Sequence, residues 1–159
     1  MRATPLLASL VLLALPALAH AQARTDATVL MSESERGRAE QERYGFSDAV
    51  IAGDTIYLSG IVAGRAPGET SLEPGFERVF RHIERILARA GSSLADIVDV
   101  TSFHTDVVGQ IEAMSAVQRR LLGSPPPAWT AVQVTRLLPD GGLAEIKIVA
   151  RRSAVAAAR

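Results

Sequence analysis

The segment WTAVQVTRLLPDGGLAEIKIVARR, Trp129 to Arg152, decides the fold class. Two strand-like runs flank a PDGG turn, Pro139 to Gly142, whose residues favour chain reversal. In the second run Ala144, Ile146, Ile148 and Ala150 recur at a period of two, so one face of that strand is uniformly apolar. The alternate row, Leu143, Glu145, Lys147 and Val149, is half apolar and half polar. A strand with one greasy face and one mixed face belongs to a sheet covered on one side. Upstream, Pro125, Pro126 and Pro127 stiffen the approach and exclude helix, so Trp129 enters its strand from a rigid lead.

What covers the sheet is written between the strands. PGFERVFRHIERILARAG, Pro74 to Gly91, carries Phe76, Val79, Phe80, Ile83, Leu87 and Ala90 at helical spacing. Pro74 suits its first turn and Gly91 its stop. Arg78, Arg81, Arg85 and Arg89 lie mostly on the other face and read as a solvated surface, with Glu77 placed to pair with Arg81. A second helix is expected through Ile111, Met114, Val117 and Leu121, ending at Gly123. FSDAVIAGDTIYLSG, Phe46 to Gly60, reads as two strands turning at Gly53-Asp54, and DIVDVTSFHTD, Asp96 to Asp106, as a third. RAPGET, Arg65 to Thr70, is a polar loop. The resulting order, ββαβαββ, predicts an α+β sandwich of one sheet with two helices on one face.

Two helices leave the other face open. If Ala144, Ile146, Ile148 and Ala150 face the helices, Val132 and Val134 are their natural companions in the preceding strand. Trp129, Ala131 and Gln133 then share the open face with Glu145, provided no bulge intervenes. A surface of that mixed character suits a subunit interface, so a homo-oligomer is expected.

The ends read differently. Residues 1–21 have a basic start at Arg2, an apolar run from Leu6 to Leu18 and a small-residue site at Ala19-His20-Ala21. That is the pattern of a secretory signal peptide cut after Ala21, and the run is shorter than the ~20 residues of a membrane-spanning helix. A periplasmic or secreted protein, with no membrane partner after cleavage, is expected. Residues 22–43 form a polar lead, a short helix or flexible, with no chemistry assigned; the folded domain is expected over 44–152 and a tail over 153–159.

Composition removes several function classes. The chain has 17 basic and 17 acidic residues, and loss of Arg2 leaves 16 basic, so no basic face argues for nucleic acid. Of the basic residues only Lys147 is lysine, which reads as a compositional bias. No cysteine is present, which excludes disulfides and thiol chemistry. His82 and His104 have no ligand spacing around them, so both read as surface or structural residues and no metal is expected. No phosphate-cradling glycine loop or nucleophile elbow occurs.

Three stretches, FSDAVIAGDTIYLSG, AGSSLADIVDVTSFHTD and PPPAWTAVQVTRLLPDGGLAEIKIVA, together resemble the reactive intermediate/imine deaminases, the RidA or YjgF family, from about Tyr44 to Arg152. The resemblance implies a chorismate-mutase-like fold and a homotrimer, with small-molecule sites between subunits. It also implies hydrolysis of enamines or imines such as 2-aminoacrylate to a keto acid and ammonia, with no cofactor. By position Glu145 matches the family glutamate that positions a water with the backbone carbonyl at Ala131. Ser59 matches a small polar residue near the substrate, and Phe46 falls where many members have tyrosine. Trp129 stands where the family has its carboxylate-binding arginine. Tryptophan has one N–H donor and no charge in place of a planar, doubly donating cation, so ordinary 2-aminoacrylate binding is not expected.

Two readings of Trp129 stand side by side: an interface packing residue plugging a dead pocket, or the stacking wall of a pocket for an aromatic, apolar or cationic ligand. Glu145 is either the base of a divergent deaminase or one half of an interface ion pair. A non-catalytic binding trimer and a holdase-like envelope protein are the alternatives to an enzyme. The sequence leaves open whether Arg65 or Arg136 replaces the missing charge. Ribonuclease chemistry, attached to some relatives, is disfavoured by the charge balance and the lack of a histidine pair.

Overall fold

A computed structural model describes residues 24–152. The expected signal peptide, with its cut after Ala21, and the expected tail lie outside the described residues. The elements run β1 (Val29–Leu30), α1 (Glu35–Tyr44), β2 (Ala49–Ala52), β3 (Thr55–Leu58), β4 (Ile61–Gly64), α2 (Glu73–Arg89), a 3-10 turn (Leu94–Asp96), β5 (Ile97–His104), α3 (Val107–Leu122), β6 (Ala128–Gln133) and β7 (Gly142–Arg151). The strands form one sheet in the order β1-β2-β3-β7-β5-β6, with β4 also paired to β7. Only β5 and β6 run parallel, joined by the α3 crossover. Among the described residues no helix is long and apolar enough to cross a membrane.

Strand β7 is the spine. Its apolar row pairs as the alternation requires: Ala144, Ile146, Ile148 and Ala150 are all fully buried under α2 and α3. One edge of β7 is shared by two short strands, β4 opposite its first half and β3 opposite its second. The chain passes between them at Ser59-Gly60, and that break opens the sheet beside Glu145. On the other edge, a register shift lets Ile97 and Val100 both point inward while Val98 is left exposed.

The helices follow their periodicity. In α2, Phe76, Val79, Phe80, Ile83 and Leu87 are at most 4% exposed, and Ile86 joins them. Gly75 lets the first turn of α2 approach β4 closely, since a Cβ there would lie 2.7 Å from the Gly64 carbonyl oxygen. In α3 Met114 and Val117 are fully buried, and the Asp106 side chain caps the helix at the Gly109 N–H. The hairpin at Gly53-Asp54 is as expected, with Gly53 at φ 64° in the first central position.

Three elements were not legible from apolar periodicity. The domain begins before Tyr44: β1 pairs with β2, and α1 follows β1 in the chain. Helix α1 buries only Gln41, whose amide donates to Asp48 Oδ1 at 2.6 Å while its carbonyl accepts from the Ser32 N–H at 2.7 Å. Arg89 completes the tie, donating to Asp48 Oδ2 and to the Met31 carbonyl. A segment docked by polar contacts leaves no hydrophobic stripe to read. The four-residue β4 was also absent from the expected order. Nor is the arginine face of α2 wholly solvated. Arg81 pairs with Glu77 and Glu84, but Arg78 reaches off the helix to Glu69 and the Gly64 carbonyl and holds the Glu69 carboxyl below its usual range.

Candidate functional site

The two faces of the sheet separate the residues that the sequence placed together. Register pairs Glu145 with Val62 on one side and Phe103 on the other, and these three lie on the open face. Trp129 pairs with Val100, and Ala131 with Ser102, both of which are fully buried on the helix face. Trp129 therefore packs against the core and does not share a face with Glu145. The inward row of β6 is Trp129 and Ala131, whereas Val132 is 39% exposed and Val134 lies past the strand end. Apolar alternation could not settle this, because both rows of β6 contain apolar residues. The parallel register with β5 and the need of a buried indole N–H for an acceptor did.

That acceptor is the Ser102 hydroxyl, 3.0 Å from Trp129 Nε1. It begins a chain of hydrogen bonds whose proton positions follow from the donors available. The Thr105 hydroxyl donates to the Leu143 carbonyl, so it accepts from the Gln110 amide nitrogen. The Gln110 carbonyl oxygen then accepts from His104 Nδ1, which leaves His104 Nε2 to accept from the Ser102 hydroxyl at 2.9 Å. His104 is thus neutral and fully buried, and burial pushes its pKa down, with the Gln110 hydrogen bond working against that. His82 is also lowered, by burial and then by Arg85, whose guanidinium donates to His82 Nδ1.

The sign of the pH dependence follows. Both histidines bind a proton less readily folded than unfolded, so their neutral forms contribute stability that is complete above about pH 6.5 and is lost as pH falls toward the folded pKa values. The melting temperature should hold from pH 8 to 7 and fall between pH 6.5 and 5. Melts of His104→Gln across the same buffers should show a shallower acid limb; an unchanged limb would remove His104 from the account.

Glu145 sits elsewhere, in a cleft of about 420 Å³ with Phe46, Ser59 and Gly60. Glu40 and Tyr44 from α1, Val62 from β4, and Leu138 and Pro139 from the loop before β7 complete the wall. Gly60 leaves room there for the Glu145 carboxylate, which a Cβ on it would overlap. Among the described residues no hydrogen bond or ion pair engages that carboxylate, so Glu145 is a half-buried acid without a partner. Among the described residues, three of the seven large hydrophobic side chains that remain exposed, Tyr44, Phe46 and Leu138, converge on this cleft.

The fold thus brings together Phe46, Ser59 and Glu145, and leaves Trp129 and Ala131 on the edge strand outside their cleft. Neither Arg65 nor Arg136 lines it, and Arg136 pairs with Asp140 at 2.8 Å. Sequence reasoning missed Glu40, Tyr44 and Leu138, which carry no motif. Gly60 stands in the quoted LSG stretch, but its role depends on the side chain across from it.

Comparison with known proteins gives a consistent result. A sequence model of the family described as endoribonuclease L-PSP matches residues 38–152. The chain is 41% identical over 111 residues to the RutC family protein YjgH of Escherichia coli (strain K12), a match spanning 67% of this chain and 82% of that one. The crystal structure of Rv2704 of Mycobacterium tuberculosis, described as a member of the YjgF/YER057c/UK114 family, superposes with a TM-score of 0.67 at 28% identity, covering 78% of this chain and 98% of its own. RidA from an Antarctic Psychrobacter superposes with a TM-score of 0.60 at 28% identity, covering 82% and 98%.

Proposed function

The chain belongs to the RidA/YjgF family, and from that premise we propose that it hydrolyses reactive imines in the Glu145 cleft, with a substrate other than ordinary 2-aminoacrylate. The observation that carries the reading is Glu145 itself. An unpaired carboxylate, half buried between Phe46 and Val62, is free to take a proton from water. The oxygen of that water bonds to the imine carbon, and the π electron pair moves to nitrogen. Glu145 returns the proton to the amine, the C–N bond breaks as an oxygen lone pair closes the carbonyl, and the hydroxyl proton passes through Glu145 to the departing ammonia. One protonated imine and one water give one carbonyl compound and one ammonium ion, with no cofactor.

Association belongs to the same proposal. The open sheet face carries Tyr57 at 48% and Val132 at 39% exposure beside Lys147 and Glu145, a mixture suited to a homotrimer interface. Trp129 and Ala131 of one copy would then reach the ligand only as part of a neighbour's site. Export to the periplasm or beyond rests on the leader pattern alone.

Ribonuclease chemistry, named in the family description, is not part of the proposal. Among the described residues the two histidines are far from serving as an acid–base pair, since His104 is fully buried and His82 is half buried on α2.

The test releases imines in situ with an amine oxidase or an amino-acid oxidase and follows ammonia and carbonyl together. The protein should accelerate both, in equal amounts, over buffer alone. No acceleration with either class of imine would leave a binding module or holdase as the function.

A further inference from the structure

The polar chemistry of the cleft is one-sided. Ser59 Oγ donates its proton to the Ser47 carbonyl at 2.6 Å, so only its lone pairs face the cleft. Glu145 is unpaired, and Glu40 is held only by a 3.7 Å contact to Arg36 at the solvent edge. Every polar side chain on the wall except the Tyr44 hydroxyl therefore presents acceptors, and no lysine, arginine or histidine lines it. The remaining wall is apolar or aromatic. The Tyr44 ring already takes a cation on one face, with the Arg43 guanidinium 5.1 Å from its centroid, while the Phe46 ring is 44% exposed and has no such partner among the described residues. Acceptors and aromatic faces without a cation are complementary to positive charge and repel a carboxylate.

We propose that the ligand of this cleft carries a positive charge unaccompanied by a carboxylate: an ammonium or protonated imine on an apolar or aromatic body. This rests on reading the cleft as the imine site, and it names the substrate class as imines of simple amines, not of amino acids. The cation end meets Glu145, Glu40 and the Ser59 lone pairs, and the body lies on Phe46 and Leu138. Arg24 lies on an adjoining groove that shares Phe46 and Ser59 but not Glu145, so it stands outside the acid wall.

Calorimetric titration with benzyltrimethylammonium and with benzoate tests the charge preference without any turnover. The ammonium should bind roughly tenfold or more tighter than benzoate, the scale of one desolvated cation–aromatic contact. Glu145→Gln should remove most of that preference. Glu40→Gln, on an exposed helix where folding is not at issue, should weaken the ammonium about threefold, as expected of a partly screened charge. The proposal is overturned if benzoate binds as tightly, if neither probe binds, or if Glu145→Gln leaves ammonium binding unchanged. Benzoate binding that disappears in Arg24→Gln overturns it too. Imine turnover measured on the same preparations separates the two claims. Ammonium binding without turnover keeps the charge preference and removes the hydrolase; turnover confined to carboxylate-bearing imines does the reverse.

Discussion

Replacing Glu145 by glutamine should lower imine hydrolysis by about 10²–10⁴-fold, the range for loss of a positioned acid–base group, while leaving the protein folded. The two halves of that result have separate causes. Glutamine keeps the size of the side chain and one acceptor oxygen, but its NH2 donates where the second oxygen accepted, and it cannot take a proton from water. Because no ion pair among the described residues engages Glu145, its removal orphans no buried cation there, and the melting temperature should move little. Gly60→Ala approaches the same group from the other side. Its methyl would occupy the space of the Glu145 carboxylate, the mobile end of a side chain that can rotate away. Activity should fall by a similar factor with folding preserved. If Glu145→Gln and Gly60→Ala both retain full turnover, the reaction does not use this cleft.

The largest effect on stability is expected at Ser102. Its hydroxyl donates to His104 Nε2 and accepts from Trp129 Nε1, so Ser102→Ala takes the partner from a fully buried imidazole nitrogen and from a half-buried indole N–H. Each orphaned group costs about 1–3 kcal/mol. Trp129→Phe should cost less than Ser102→Ala in hydrogen bonding, because it removes the donor instead of stranding it. Ser102→Ala combined with Trp129→Phe should then be less destabilising than the sum of the two, since the indole is no longer there to be stranded. Urea unfolding at one fixed protein concentration checks both statements, the concentration being held because association would shift the midpoint. A Ser102→Ala variant within about 0.5 kcal/mol of the natural protein, the ordinary range for surface changes, would mean that the chain of bonds contributes nothing to folding.

Tryptophan at 129 does not wall the Glu145 cleft of its own chain; its ring packs at the edge of the core and its N–H is committed to Ser102. The acceptor-only wall around Glu145 is the observation on which the proposed cationic ligand rests.

Strong periodicity makes most of the architecture legible in the sequence. The apolar row of β7, the stripe of α2 and the Gly53-Asp54 hairpin each need only local side-chain spacing and a favoured turn, and each is where the spacing puts it. Family motifs located Glu145, Ser59 and Phe46, and the fold brings those three to one cleft. What the spacing could not carry was set by contacts between distant segments. Helix α1 docks through Gln41 and Arg89, and polar docking has no period. The face of Trp129 depended on pairing with β5, because a slip of one residue exchanges the two faces of a strand and β6 has apolar residues in both rows. Gly60 gained its meaning only when the sheet set it against Glu145.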